Sequence, residues 1–147
     1  MTGTVEAIWL KRMKKGPMDP VDSAEAIANQ GLRGNADQRG KRQVTILEAE
    51  NWETATGLLA HELHPSKRRA NLLVRGISLK EQRHSILLIG NVRIQIYGET
   101  KPCEQMEAAL PGLKEVLDTE WRGGVYGVVL SDGIINHGDP VVFEENQ

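Results

Sequence analysis

Asn91-Val92-Arg93-Ile94-Gln95-Ile96-Tyr97 carries the clearest strand pattern in the chain. Val92, Ile94 and Ile96 alternate with Arg93, Gln95 and Tyr97, so an extended backbone puts branched apolar side chains on one face and polar ones on the other. A helix would scatter the same residues around its circumference. Working outward, residues 85–89, 72–74 and 43–47 upstream and 125–130, 134–135 and 141–143 downstream are short β-prone runs, and residues 5–10 form a further strand near the start. Ser131-Asp132-Gly133 and His137-Gly138-Asp139 separate the last three as turns. Between the strands fall two or three short helices: residues 52–63 with Asn51 as cap and His64-Pro65 as stop, residues 103–110 with Met106 and Leu110 buried, and residues 113–117 after Pro111-Gly112. Many short strands with few inserted helices predict a mainly-β chain, a closed or nearly closed β-barrel, in preference to repeated βαβ units. The run 141–143 either closes that barrel or leaves an exposed edge.

The 147 residues carry 18 basic and 20 acidic side chains, a formal charge of −2. That length reads as one domain spanning 1–147, with roughly 7,500 Å² of surface expected after folding. Near-neutrality gives no global attraction to nucleic acid or anionic membrane, so charge effects have to be local. One Phe and two Tyr offer no stacking platform for single strands. The basic residues near the start follow the apolar run where a leader would need them before it, and no apolar run approaches a membrane span. A single cysteine forbids an intrachain disulfide and suits a reducing, cytoplasmic compartment.

Residues 16–43 are rich in Gly, Asp, Asn, Gln and Arg and read as a long polar connection, with a short helical turn at 24–28. So long a connection is a candidate part of a site, and Arg33, Arg39, Lys41 and Arg42 suit an anion. Arg68-Arg69-Ala70-Asn71 concentrates guanidinium forks beside an amide that can meet a polar ring edge, and Arg122 stands before Gly123-Gly124, where a ligand can approach the backbone. A solvated charged surface is the plainer reading of both. His61 and His64 read as a solvated face, and no metal cage, GxGxxG or P-loop is present. Cys103 follows Pro102 at a helix start, where free amides favour a thiolate able to attack or to bind a soft metal; an inert buried cysteine is the alternative.

Taken in order, Gly31-Leu32-Arg33-Gly34, Arg42-Gln43-Val44-Thr45-Ile46-Leu47, Arg68-Arg69-Ala70-Asn71-Leu72, Arg75-Gly76-Ile77, Gly90, Lys101-Pro102-Cys103, Arg122-Gly123-Gly124, Gly133 and Gly138-Asp139-Pro140-Val141 resemble the MOSC domain, the carboxy-terminal domain of molybdenum-cofactor sulfurases, over residues 5–143. The resemblance implies a barrel and a molybdopterin-type molybdenum cofactor. By motif it makes Cys103 the catalytic group and molybdenum ligand, Arg68, Arg69 and Asn71 the pterin and phosphate contacts, and Arg42 and Arg122 their helpers. It implies reduction of N-hydroxylated substrates with a separate electron donor protein. The alternatives are a persulfide carrier on Cys103 served by a sulfur donor, and a noncatalytic interaction module. The chain departs from the pattern at Asn35-Ala36-Asp37-Gln38, where family members often have an Asp and a His.

Overall fold

The computed structural model describes residues 2–36 and 38–145. The elements in order are β1 (Gly3–Lys11), β2 (Met18–Val21), β3 (Ser23–Ile27), β4 (Gly31–Leu32), β5 (Val44–Glu48), α1 (Ala49–Leu58), a 3-10 turn (Pro65–Arg68), β6 (Leu72–Arg75), β7 (Ile86–Ile89), β8 (Val92–Glu99), α2 (Glu104–Ala109), α3 (Leu113–Leu117), β9 (Val125–Val129), β10 (Gly133–Asn136) and β11 (Pro140–Phe143). Seven strands close into a barrel in the cyclic order β1-β11-β7-β8-β9-β5-β6, and β6 returns to β1. Among the described residues only β5 and β6 run parallel, in register Ile46 to Leu72, and α1 supplies the crossover that a parallel pair requires.

The alternating stretch behaves as its pattern demands: Val92, Ile94 and Ile96 are fully buried inside the barrel while Arg93, Gln95 and Tyr97 face outward. The unbroken apolar runs of β5 and β6 have a different cause. Ile46, Leu72 and Val74 join the interior core, whereas Leu47 and Leu73 join a second, outer core with Trp9, Trp52, Met106, Leu113 and Leu117. Strands covered on both faces lose the alternation. The accessible surface is 7764 Å², in line with the size expectation.

Four expectations change. The polar stretch 16–43 is not an irregular connection: it holds β2, which extends the β1 hairpin, and β3 and β4, which form a three-stranded sheet with β10. The helical turn at 24–28 is strand β3, whose Ala24 and Ala26 are buried while Glu25 between them is exposed, a period of two that small side chains disguise. Helix α1 starts three residues early, at Ala49, and ends at Leu58; Asn51 does not cap it but donates to Glu48 Oε2 at 2.9 Å. Beyond it Trp52 Nε1 reaches the Leu63 carbonyl at 2.7 Å, which keeps Leu63 on the same packing surface without helix. The open question at 141–143 resolves as closure, since β11 pairs with both β7 and β1.

Candidate functional site

The 3-10 turn Pro65–Arg68 builds the site. His64 caps it by accepting from the Ser66 amide at 3.2 Å, and Arg69 ends it in the left-handed region at φ 63°. That reversal sends two consecutive guanidiniums in different directions. Arg68 turns inward, 8% exposed, and donates to the carbonyls of Gly123 and Thr100, each at 2.9 Å. Arg69 donates to the Gly16 carbonyl at 2.6 Å. Neither has a carboxylate partner among the described residues. Burial, and then the neighbouring charge of Arg42, push the Arg68 pKa down to about 10, with Cys103 opposing. The guanidinium stays protonated at neutral pH, and the shift records how poorly its charge is solvated.

The glycines after Arg122 admit the protein's own groups. A Cβ on Gly123 would stand 2.4 Å from the Thr100 carbonyl, and one on Gly124, at φ +99°, 2.5 Å from that of Ile46. Gly123 makes room for Thr100 and the Arg68 guanidinium, and Gly124 for the backbone of β5. Arg122 itself turns away and donates to the Val116 carbonyl at 3.3 Å, outside the cleft lining.

Asn71 locks β1, β5 and the segment around Asn35 together. Its Oδ1 accepts from the Thr45 amide at 3.1 Å and faces the Thr45 hydroxyl at 3.3 Å, and its Nδ2 donates to the Trp9 carbonyl at 3.2 Å and Asn35 Oδ1 at 3.1 Å. Asn35 Oδ1 also accepts from the Lys11 amide at 2.8 Å. The amide of Asn71 is thus fully engaged by the protein, and its part is to hold Asn35 in place. Gln38 accepts from the Leu32 amide at 2.6 Å, while Asp37 lies outside the described residues.

These groups line a polar cleft of about 290 Å³ with Lys11, Asn35, Arg42, Arg69 and Asn71 on its walls. A void of about 20 Å³ shares Arg42, Thr45 and Arg69 with it and adds Arg68, Thr100 and Gly123. Thr100 Oγ1 is buried without a hydrogen-bond partner. Nothing in the sequence singles out Thr100 or Thr45; both emerge only when β5, β8 and the turn are brought together.

Cys103 is exposed rather than buried and directly precedes α2, with Sγ 3.9 Å from Gln105 Oε1. It lies off the cleft lining but within electrostatic reach of Arg68. Lys101, the nearest cation in sequence, is taken up by Glu99 at 2.9 Å and Asp118 at 3.2 Å. Among the described residues no three His, Cys, Asp or Glu side chains gather as a metal-holding group. No helix among them is long and apolar enough to cross a membrane.

The sequence model of the MOSC domain matches residues 22–142. Among solved structures, the YuaD protein from Bacillus subtilis is 18% identical, with a TM-score of 0.82 over 100% of this chain and 98% of that one. YiiM from Geobacillus stearothermophilus is 17% identical, with a TM-score of 0.76 over 97% of this chain and 75% of that one. YiiM from Escherichia coli is 15% identical, with a TM-score of 0.75 over 100% and 71%. At these identities the likeness is one of fold. No curated protein matches the chain.

Proposed function

The chain belongs to the MOSC domain family, and from that premise we propose that it binds a molybdopterin-type molybdenum cofactor, or a closely related phosphorylated ligand, in the cationic cleft with Cys103 presented to the metal. The observation that carries the reading is Arg68, a buried guanidinium with carbonyls but no carboxylate around it, next to the partnerless hydroxyl of Thr100. A site with spare positive charge and a spare hydroxyl, and no resident anion, suits an oxyanion. The donor set fits the cofactor. Arg42, Arg68 and Arg69 would hold its phosphate, and Lys11 and Asn35 would face the polar edge of its ring system. Asn71 acts as a positioning residue through Asn35. The exposed thiol of Cys103, beside the charge of Arg68, would be the soft ligand to molybdenum.

Bound molybdenum supplies two-electron oxygen-atom chemistry, and reduction of N-hydroxylated compounds with electrons from a separate donor protein is the reaction proposed. The protein's own contribution would be binding and charge: Arg42 and Arg68 raise the local positive potential, and the Thr100 hydroxyl, without a partner in the protein, is left to donate to the ligand. The test is the molybdenum and organic phosphate content of the protein purified anaerobically from a cofactor-competent host. Matched molybdenum and phosphate in the wild type, with molybdenum lost in Cys103→Ser, is expected. Neither element, despite confirmed cofactor supply, would sink the reading.

The exposure of Cys103 favours one second reading. Its thiolate would attack a sulfane donor, forming a persulfide as the donor leaves as a thiolate. One added sulfur on Cys103 after incubation with a donor, without bound metal, would put this reading first.

A further inference from the structure

A second cavity, sharing no lining residue with the cationic cleft, lies outside the barrel wall between β1, β6 and α1. Its volume is about 440 Å³, within the range of small-molecule sites. Ala49, Trp52, Leu63, Pro65 and Leu73 make its apolar surface. The polar atoms beneath are already satisfied: Trp52 Nε1 donates to the Leu63 carbonyl at 2.7 Å and Thr56 Oγ1 to the Trp52 carbonyl at 3.0 Å. Little is left in the floor for a ligand to hydrogen-bond.

The rim is different. Glu6, Glu53 and Glu62 border the cavity, and Arg75 is the single guanidinium among them. Arg75 bonds Glu6 and also holds Glu53 at 3.1 and 2.6 Å, so its charge is spent on those two. Glu53 is accordingly pulled below the usual carboxylate range by Arg75. Three carboxylates against one guanidinium leave two negative charges uncompensated, and Glu62 stands outside the Arg75 bridge.

We infer that this cavity binds a small organic cation, an aromatic or branched aliphatic body seated on Trp52, Leu63 and Leu73 with its ammonium at Glu62. The preformed apolar floor provides burial without induced fit, and the uncompensated rim selects the sign of the charge. An anion of the same shape would meet repulsion there and have no donor in the floor. The inference is independent of the cofactor reading, since none of these residues lines the cationic cleft.

The three tryptophan indole N–H resonances make the test local, because Trp52 alone of the three lines this cavity. The full chain is titrated at low salt with phenethylamine and, separately, with phenylpropionate as the charge-reversed analogue. The amine is expected to shift the assigned Trp52 indole resonance saturably with a Kd of about 1 mM, the affinity a ligand of about nine heavy atoms reaches at modest efficiency. Glu62→Gln should weaken it roughly threefold, as loss of a partly screened ion pair does, and phenylpropionate should leave the resonance in place. The inference is overturned by equal response to both ligands, by no amine response up to about 20 mM, or by an unchanged Kd in Glu62→Gln.

Discussion

The cationic cleft and the outer cavity meet at one short element, the turn Pro65–Arg68, and carry opposite charge. Its first residue and His64 border a cavity rimmed by three carboxylates, while at its other end Arg69 faces the cationic cleft and Arg68 the small void that adjoins it. The difference is not one of composition, since the chain as a whole is close to neutral. It lies in which charges the fold pairs internally. Arg75 is consumed by Glu6 and Glu53, and Lys101 by Glu99 and Asp118, so those cations are unavailable to a ligand. Arg68 and Arg69 receive only backbone carbonyls, which orient a guanidinium without cancelling its charge.

The largest expected effect breaks the cleft and leaves the outer cavity standing. Asn71→Ala removes both acceptor and donors at the junction of β1, β5 and the segment around Asn35, orphaning the Thr45 amide and the Trp9 carbonyl. Urea unfolding should register a loss of about 3 kcal/mol, the sum of two or three buried groups left unpaired. A loss below about 1 kcal/mol would mean that water replaces these bonds and that Asn71 positions nothing.

The next effect sharpens the contrast by separating charge from stability. The depression of the Arg68 pKa to about 10 corresponds to a cost on the order of 3 kcal/mol for keeping the cation buried. For a base whose folded pKa lies below its unfolded one, that cost is fully present at neutral pH and is relieved only as pH rises through the folded value. Arg68→Met loses two carbonyl bonds but also escapes this cost, so its stability should stay within about 1 kcal/mol of wild type. Its response to anions should vanish. Pyrophosphate at about ten times its Kd should raise the wild-type melting temperature by about 4 °C, and Arg68→Met by none, whereas Glu62→Gln responds like wild type. Equal shifts in Arg68→Met and wild type would place the anion elsewhere.

What was legible in the sequence follows from the same pairings. The strand at residues 92–97 was readable because β8 is covered on one face only, and the barrel followed from the spacing of the other runs. Strand β3 was not, because Ala24 and Ala26 carry too little apolar surface for alternation to stand out among charged neighbours. Arg42, Arg69 and Asn71 stand together on the cleft wall, and Arg68 borders the small void beside it. Their division of labour was hidden: Asn71 and Arg122 have identities like ligand contacts but bond the protein itself. Thr100 and the carboxylate rim of the outer cavity had no sequence signal, since β1, α1 and β6 contribute Glu6, Glu53 and Arg75 from distant positions.

The smallest effect lies behind the acidic side of the comparison, where Glu48 caps the path from β5 into α1. Burial raises its pKa, with the charge of Glu50 adding to the rise, while bonds from the Leu79 amide at 3.2 Å and from Asn51 hold it back. Both bonds fall on Oε2, so a glutamine carbonyl can accept them without the charge. The sign follows from linkage: a carboxyl whose folded pKa exceeds its unfolded one costs stability above the folded value, and the cost disappears as pH falls toward the unfolded value. Glu48→Gln should therefore melt higher than wild type at pH ~7.5, by on the order of 2 °C, and the gap should close by about pH 4.5. A variant less stable than wild type at neutral pH would instead make the Glu48 charge a net stabiliser of the α1 start, and the excess negative charge on this side of the molecule would have a structural use rather than being left for a ligand.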